Sequence, residues 1–231
     1  MPLKLNSTGG GSVTLDVPNT ASTYTVTIPA STGTMVTTAA GQTVEFAAGT
    51  AAAPSITTTG DTNNGIYFPA ADTVAVATNG IERVKVDSSG RSTFPYQPLF
   101  HVYGTTTQSW SGAAAYQTLA FNTSITFSNH PSGWNTSTYT FTAPVAGTYL
   151  FIAKITQTGA VTGPQGYLFV NGVATGTEMM ISYSVAYLSS TGQQFLQLAA
   201  NDAVTFRVIN NNNVSQTLDL GRCSLTGILI G

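Results

Sequence analysis

The chain has 231 residues, enough for one large or two modest domains with a real core. Charged residues make up 7% of it, against about 25% in an ordinary globular protein, so hydroxyls and amides must wet the surface. The net charge is −2 and the seven basic residues are scattered except for Arg83 and Lys85, which excludes the concentrated basic face that nucleic-acid binding needs.

Period-two alternation recurs along the chain without a sustained i, i+3, i+4 pattern, so the expected class is all-β with scarce helix. In "MPLKLNSTGGGS" the one lysine is followed by no apolar run, so it is not read as a signal peptide. No stretch of about 18 apolar residues predicts a membrane span. The expectation is synthesis in a cytoplasm and work within an assembly. Val13, Leu15 and Val17, then Tyr24, Val26 and Ile28, set two short strands around "PNTAS". The small residues of "TAAGQTVEFAAGTAAAPS" (38–55) form a linker or a thin packed element that needs neighbours.

Asn79-Gly80 is flanked by alternating residues and predicts a hairpin, because a type I′ turn needs positive φ at both central positions. The simple register sets Val76 opposite Arg83 and Val74 opposite Lys85 on an outward face. Ala77 then faces Glu82, Ala75 faces Val84 and Thr73 faces Val86 on a face that packs. A lone hairpin is marginal in water, so this unit needs other chains or the following domain to hold it. "STFPYQPLF" (92–100), with two prolines and three aromatics, reads as a stiff extended connector. Beyond it, short strands are expected at 119–127, 138–142, 148–156, 166–170, 179–188, 194–198, 203–209 and 223–230, with a second Asn-Gly turn in "VNGV" (170–173). That number of strands fits a sandwich or jelly roll.

"FNTSITFSNHPSGWNTSTYTFTAPVAGTYLF" (121–151) resembles the complement C1q globular-head and tumour-necrosis-factor-like jelly rolls. Phe141, Pro144, Gly147, Tyr149 and Phe151 fall on their aromatic, proline and glycine pattern. "YLFVNGV", "FLQLAANDAVTFRV" and "CSLTGILIG" are similar to later strands of that family, with Asn201 in place of its usual glycine and Leu225 in place of its phenylalanine. The resemblance covers residues 100–231 and implies a jelly roll that forms compact homotrimers. Physically, Gly147 allows close backbone approach at a strand entry and Pro144 is tolerable only at a strand start or edge. "GSVTLDVPNTASTYTVTIPASTGTMVT" and "PSITTTGDTNNGIYFPAADTVAVATNGIERVKVDSSGR" resemble segments of tailed-bacteriophage fibre and appendage proteins, where they form virion-attaching or shaft elements, often of three intertwined chains. The implied architecture is N-terminal β-hairpin and shaft elements followed by a trimeric jelly-roll sandwich. Residues 1–50 are the attachment segment and linker, 51–99 a hairpin shaft or collar, and 100–231 the tip.

No catalytic, metal or cofactor site is expected. His101 and His130 lie far apart without ligand partners at metal spacing, and His130, before Pro131, reads as a surface histidine. Glu178, Asp202 and Asp219 are the acids of the second half, and Asp202 in "AAND" reads as a turn residue rather than half of a glycosidase pair. Cys223, the one cysteine, reads as a small buried hydrophobe. "INNNNVSQTLD" (209–219), with Asn211 and Asn212, reads as an exposed amide-rich turn rather than a calcium loop, and its amides suit sugar hydroxyls. Trp110 and Trp134 sit among turn residues; either a ligand stacks on them or each is tucked under its own loop, and for Trp134 the family pattern favours the second.

The expected function is a non-enzymatic, homotrimeric structural fibre on a tailed-phage virion surface. It joins other virion proteins through its N-terminus and binds host-surface glycan or an outer-membrane protein through the tip, with Trp110, His130, Trp134, Asn211 and Asn212 as candidate contacts. A capsid decoration or head-fibre protein is the alternative, and an envelope polysaccharide depolymerase the third. No nucleic acid and no membrane insertion is expected.

Overall fold

Alternation of large apolar and small polar residues makes strands wherever the chain can bury one face. A computed structural model describes residues 3–6, 8–10, 12–15, 44–110, 115–125, 133–158, 163–181, 188–210 and 215–231. It divides into two units, Met1–Glu45 and Phe46–Gly231. In the first, β1 (Leu3–Asn6) pairs antiparallel with β2 (Ser12–Leu15), Leu3 lying opposite Leu15. The strand expected around Tyr24, Val26 and Ile28 lies outside the described residues.

The second unit opens with an antiparallel meander of β3 (Ile56–Thr58), β4 (Asp61–Tyr67), β5 (Val74–Thr78), β6 (Ile81–Val86) and β7 (Ser92–Thr93), here called the collar. Asn79 and Gly80 turn at φ 52° and 71°, as a type I′ hairpin requires. Thr78 faces Ile81 and Ala77 faces Glu82, but a β-bulge follows. Val76 therefore pairs with Val84, Ala75 with Lys85 and Val74 with Val86, which corrects the simple register by one residue. An extra residue on one strand flips every later side chain to the other face, so the outward face carries valines where Arg83 and Lys85 were expected. On β5 the packed side is the expected one, with Ala75 and Ala77 buried beside Tyr67 and Ala51 against them, whereas Val84 and Val86, expected there, lie on the outward face. In the second unit residues 46–55 are mostly exposed but held to the sheet, Phe68 N–H donating to Ala48 O at 2.8 Å and Pro54 being buried.

The tip is a sandwich. Its strands are β8 (Leu99–Tyr103), β9 (Thr107–Trp110), β10 (Gln117–Thr118), β11 (Thr123–Ile125), β12 (Trp134–Asn135), β13 (Thr140–Thr142) and β14 (Gly147–Thr156). They continue as β15 (Gln165–Val170), β16 (Val173–Ile181), β17 (Ser189–Leu198), β18 (Ala203–Ile209), β19 (Gln216–Asp219) and β20 (Ser224–Leu229). One sheet runs β12-β13-β18-β15-β16, with β10 also on β18; the other runs β11-β8-β20-β14-β17, and β9 with β19 forms a separate ribbon. This is the all-β jelly-roll sandwich that the sequence predicts, with strand ends shifted: of the described residues of the expected strand 119–127 only Thr123–Ile125 (β11) are strand, residues 119–122 linking it to β10, and β16 starts at Val173 rather than 179. Among the described residues the helical element is one 3₁₀ turn, Leu220–Arg222, capped by the Asp219 carboxylate accepting from Gly221 N–H at 3.1 Å.

Between the sheets, every second residue of β8, β14, β18 and β20 is buried: Phe100 and Val102, Tyr149, Phe151, Ala153 and Ile155, Val204, Phe206 and Val208, and Leu225. The rings pack as offset stacks and edges; Phe141 lies 4.7 Å from Phe100 and 5.4 Å from Tyr149. At the entry to β14 a Cβ on Gly147 would come within 2.6 Å of Leu229 Cδ1 and 2.8 Å of Gly231 O, so only glycine lets the last strand lie this close. Gly147→Ala is expected to cost about 1–3 kcal/mol, read as a lower denaturation midpoint, while Ala146→Ser at the exposed neighbour stays within about 0.5 kcal/mol.

Candidate functional site

His130, Asn211 and Asn212 lie outside the described residues. Trp110, expected in a loop, instead closes β9 opposite Gln216. The β9–β19 ribbon is polar, which is why alternation did not reveal it, and it moves part of the expected amide-rich turn into strand. Trp134 stands on β12, half-buried, with its Nε1–H donating to Phe121 O at 3.1 Å and its ring 5.4 Å from Phe100. Its indole is thus engaged within the sandwich.

The motif residues are structural in their surroundings. Phe141, Tyr149 and Phe151 are buried, the Tyr149 hydroxyl donates to Val145 O at 2.9 Å, and Pro144 stands exposed in the bend before β14. Asn201, in the family's glycine position, takes φ 72°, a conformation asparagine tolerates. Asp202 is a turn residue as expected, accepting from Asn171 Nδ2 and Ala199 N–H, each at 2.8 Å; these bonds hold its carboxyl below the usual range. Asp219 caps the 3₁₀ turn and pairs with Arg222 at 3.0 Å, so both acids serve their own loops. Cys223 is buried, receives Thr156 N–H at 3.1 Å, and is pushed up to about 11 by burial. Among the described residues, no three His, Cys, Asp or Glu side chains are placed to hold a metal.

The two outward faces of the sandwich differ in chemistry. On the β15–β16–β18 side, Glu178, Tyr167 and Arg207 stand in one cross-strand row, with Phe169 and Thr205 in the next. Tyr116, preceding β10 and 43% exposed, lays its edge against Tyr167 at 5.4 Å and Phe169 at 4.8 Å. The Arg207 guanidinium lies 4.3 Å from the Phe169 centroid, and its Nε donates to Thr205 Oγ1 at 3.0 Å. Glu178 Oε2 accepts from Gln165 Nε2 at 3.2 Å, while Oε1 is buried without a hydrogen-bond partner. Burial raises the Tyr167 phenol, and the nearby Glu178 carboxylate raises it further. The result is a Tyr116–Tyr167 aromatic edge lying over the buried Phe169, with the Arg207 guanidinium beside it, which suits a ring with an apolar face and hydroxyl edges. These residues come from strands distant in sequence, so no local motif marked them.

On the other side, Leu99, Ile228, Leu150 and Phe195 align across β8, β20, β14 and β17, and His101, Thr226, Ile152 and Gln193 form the next row. Phe195 is 59% exposed and Ile152 37% exposed. His101 Nδ1 and Thr226 Oγ1 are 2.7 Å apart, and burial lowers the imidazole below its ordinary range.

A profile of the C1q domain matches residues 100–230. Among curated proteins none matches the chain. Similar solved structures include the globular domain of zebrafish complement 1qA protein, at 18% identity over 58% of this chain and 98% of that one, TM-score 0.42. Eiger TNF from S. frugiperda is 13% identical over 59% and 94% of the two chains, TM-score 0.42. Murine APRIL at pH 8.5 is 13% identical over 58% and 99%, TM-score 0.44.

Two titrations follow from these surroundings. Because burial raises the Cys223 thiol, it stays protonated at neutral pH and is expected to react with a thiol reagent only on unfolding; labelling of the native chain at the rate of a free thiol would contradict this. For His101 the folded value lies below the ordinary 6.5, so its share of stability is present above pH 6.5 and is lost as pH falls from there through the lower folded value. The thermal midpoint is expected to drop over that range and to drop less in His101→Gln.

Proposed function

The chain belongs to the C1q domain family, and on that premise we propose that it is a non-enzymatic, homotrimeric fibre or appendage on the virion of a tailed bacteriophage. C1q and tumour-necrosis-factor-like domains form trimers and are typically ligand-binding modules without enzymatic activity. In this reading residues 1–50 join other virion proteins, 51–99 form the collar, and the tip takes a host-surface glycan or outer-membrane protein.

The observation that carries the reading is the unlike chemistry of the tip's two outward faces. The Leu99–Ile228–Leu150–Phe195 row is apolar and uncharged and fits contact between copies. The Tyr116–Tyr167 ledge over the buried Phe169, with Arg207 beside it, fits a saccharide. Three ledges on one trimer convert weak single contacts into firm attachment. The fibre-like sequence of residues 11–91 supports the virion setting, and the low charge suits a surface partly buried by assembly.

The full chain is expected to have a solution mass near three times 23.9 kDa, and a monomer in dilute solution contradicts the trimer. Tyr116→Ala combined with Arg207→Ala, with the trimer intact, is expected to weaken binding of the fluorescent protein to host cells about tenfold or more; unchanged binding removes the ledge from adsorption. Imaging labelled protein on intact virions checks the setting: label on the capsid shell would make it a head fibre or decoration protein, and release of oligosaccharide from envelope material would make it a depolymerase.

A further inference from the structure

The collar buries very little and exposes a great deal. Its own core is Tyr67, Ala75 and Ala77, two of them alanines. The face turned away from that core carries an unbroken aliphatic row across four strands, with Ile56 opposite Ile66, Ile66 opposite Val76, and Val76 opposite Val84. Val74 and Val86 pair beside it. Exposures are 39% for Ile56, 37% for Ile66 and Val76, 45% for Val74 and 39% for Val86. The bulge creates this face: without it Arg83 and Lys85 would occupy the positions of Val84 and Val86. As it is, Arg83 bonds Thr78 Oγ1 at 2.9 Å and lies 5.3 Å from the Tyr96 ring at the rim, and Lys85 pairs with Glu82 at 3.4 Å. An uncharged row of β-branched residues on a sheet with so small a core is the pattern of an interface, not of a solvated surface.

We propose that this aliphatic face is a second self-association surface, packed against the same face of two further copies of the chain around the axis of the trimer. The inference rests on the trimeric reading above and adds a contact outside the C1q domain. Two features select a second copy as the occupant. The surface is continuous with the tip's own apolar face: an open groove of about 450 Å³ runs from Val84 past Phe94 and Tyr96 to Ile230, with Arg83 and Gln97 at its edge, and a neighbouring one, with Ser92 and Thr93 on its wall, links Phe94 to Leu99 and Ile228. The collar is also tied closely to the tip. Only residues 94–98 separate β7 from β8, a span of at most about 18 Å, and Leu229 N–H donates to Pro98 O at 3.0 Å. Tips held as a trimer therefore keep three collars at high effective concentration, where a face too weak to associate alone is occupied. A threefold arrangement closes such a contact and leaves no further copy to add.

The experiment uses the full chain with Val76→Cys, in which the remaining cysteine, Cys223, is buried. Mild oxidation of the trimer is expected to join roughly two of every three chains as covalent dimers, because one disulfide uses two of the three copies. Ser88→Cys, in the exposed turn after β6, is expected to leave the chains unjoined. Val74→Thr with Val76→Thr keeps β-branching on side chains already exposed in a single chain, so any large effect comes from contacts between chains. Trypsin is expected to cut this variant between Arg83 and Arg91 at least about tenfold faster than the parent, with the tip still trimeric by mass. A trimeric mass without Val76→Cys joining and with parental trypsin resistance in the threonine variant overturns the collar contact alone and hands the face to another occupant. A monomeric mass overturns the trimer and this contact together.

Discussion

Phe100 is the point on which the tip depends. Its ring lies 4.7 Å from Phe141 of the facing sheet, 5.4 Å from Trp134 and 6.2 Å from Phe151. The facing residue on β20 is Gly227, where a Cβ would meet the ring at 2.2 Å, so the smallest side chain makes room for one of the largest. Core packing at this density fixes sheet separation and strand register together, because neither can shift without opening a void or a clash. Everything outward, including the two unlike faces, follows from which alternate residues this cluster draws in.

Much of this was legible in the sequence, and the legible parts share a cause: they are local. "FTAPVAGTYLF" announces a buried aromatic strand with a proline bend and a close glycine, and the structure places Phe141, Tyr149, Phe151 and Gly147 accordingly. Asn79-Gly80 and Asn171-Gly172 turn with positive φ, and Asp202 closes its own loop. Each depends on a few neighbouring residues and on backbone sterics. The illegible parts depend on pairing between distant segments. Nothing around Arg83 signals a bulge, since a one-residue insertion becomes visible only against the partner strand. The β9–β19 ribbon joins residues 107–110 to 216–219 without an apolar pattern in either. The ledge needs β10, β15, β16 and β18 side by side before Tyr116, Tyr167, Glu178 and Arg207 meet.

The scarcity of charge ties these observations together. With 7% charged residues the chain has few of the lysines and glutamates that ordinarily cover sheet faces and blunt strand edges. Among the described residues ion pairs are made close to home: Arg91 with Asp87 at 2.8 Å, Arg222 with Asp219 at 3.0 Å, and Lys85 with Glu82 at 3.4 Å. Pairs three or four residues apart steady turns and strand ends but shield no face. What remains exposed is threonine, serine and asparagine where the surface meets water, and aliphatic or aromatic side chains where it does not.

The bulge at Arg83 shows how a single backbone event can decide which of these two surfaces a sheet presents. One extra residue on β6 moves two cations off a face and two valines onto it, and the same displacement brings Arg83 within reach of Tyr96 in the connector to the tip. The register of the collar and its link to the tip are thus set by the same residue. A collar with a three-residue core gains little from folding alone, because ordering its strands costs more than such small side chains return. Covering its outward face would add what that core lacks. In this molecule the large aromatic core belongs to the sandwich, and the meander is joined to it through the short connector and the Arg83–Tyr96 contact.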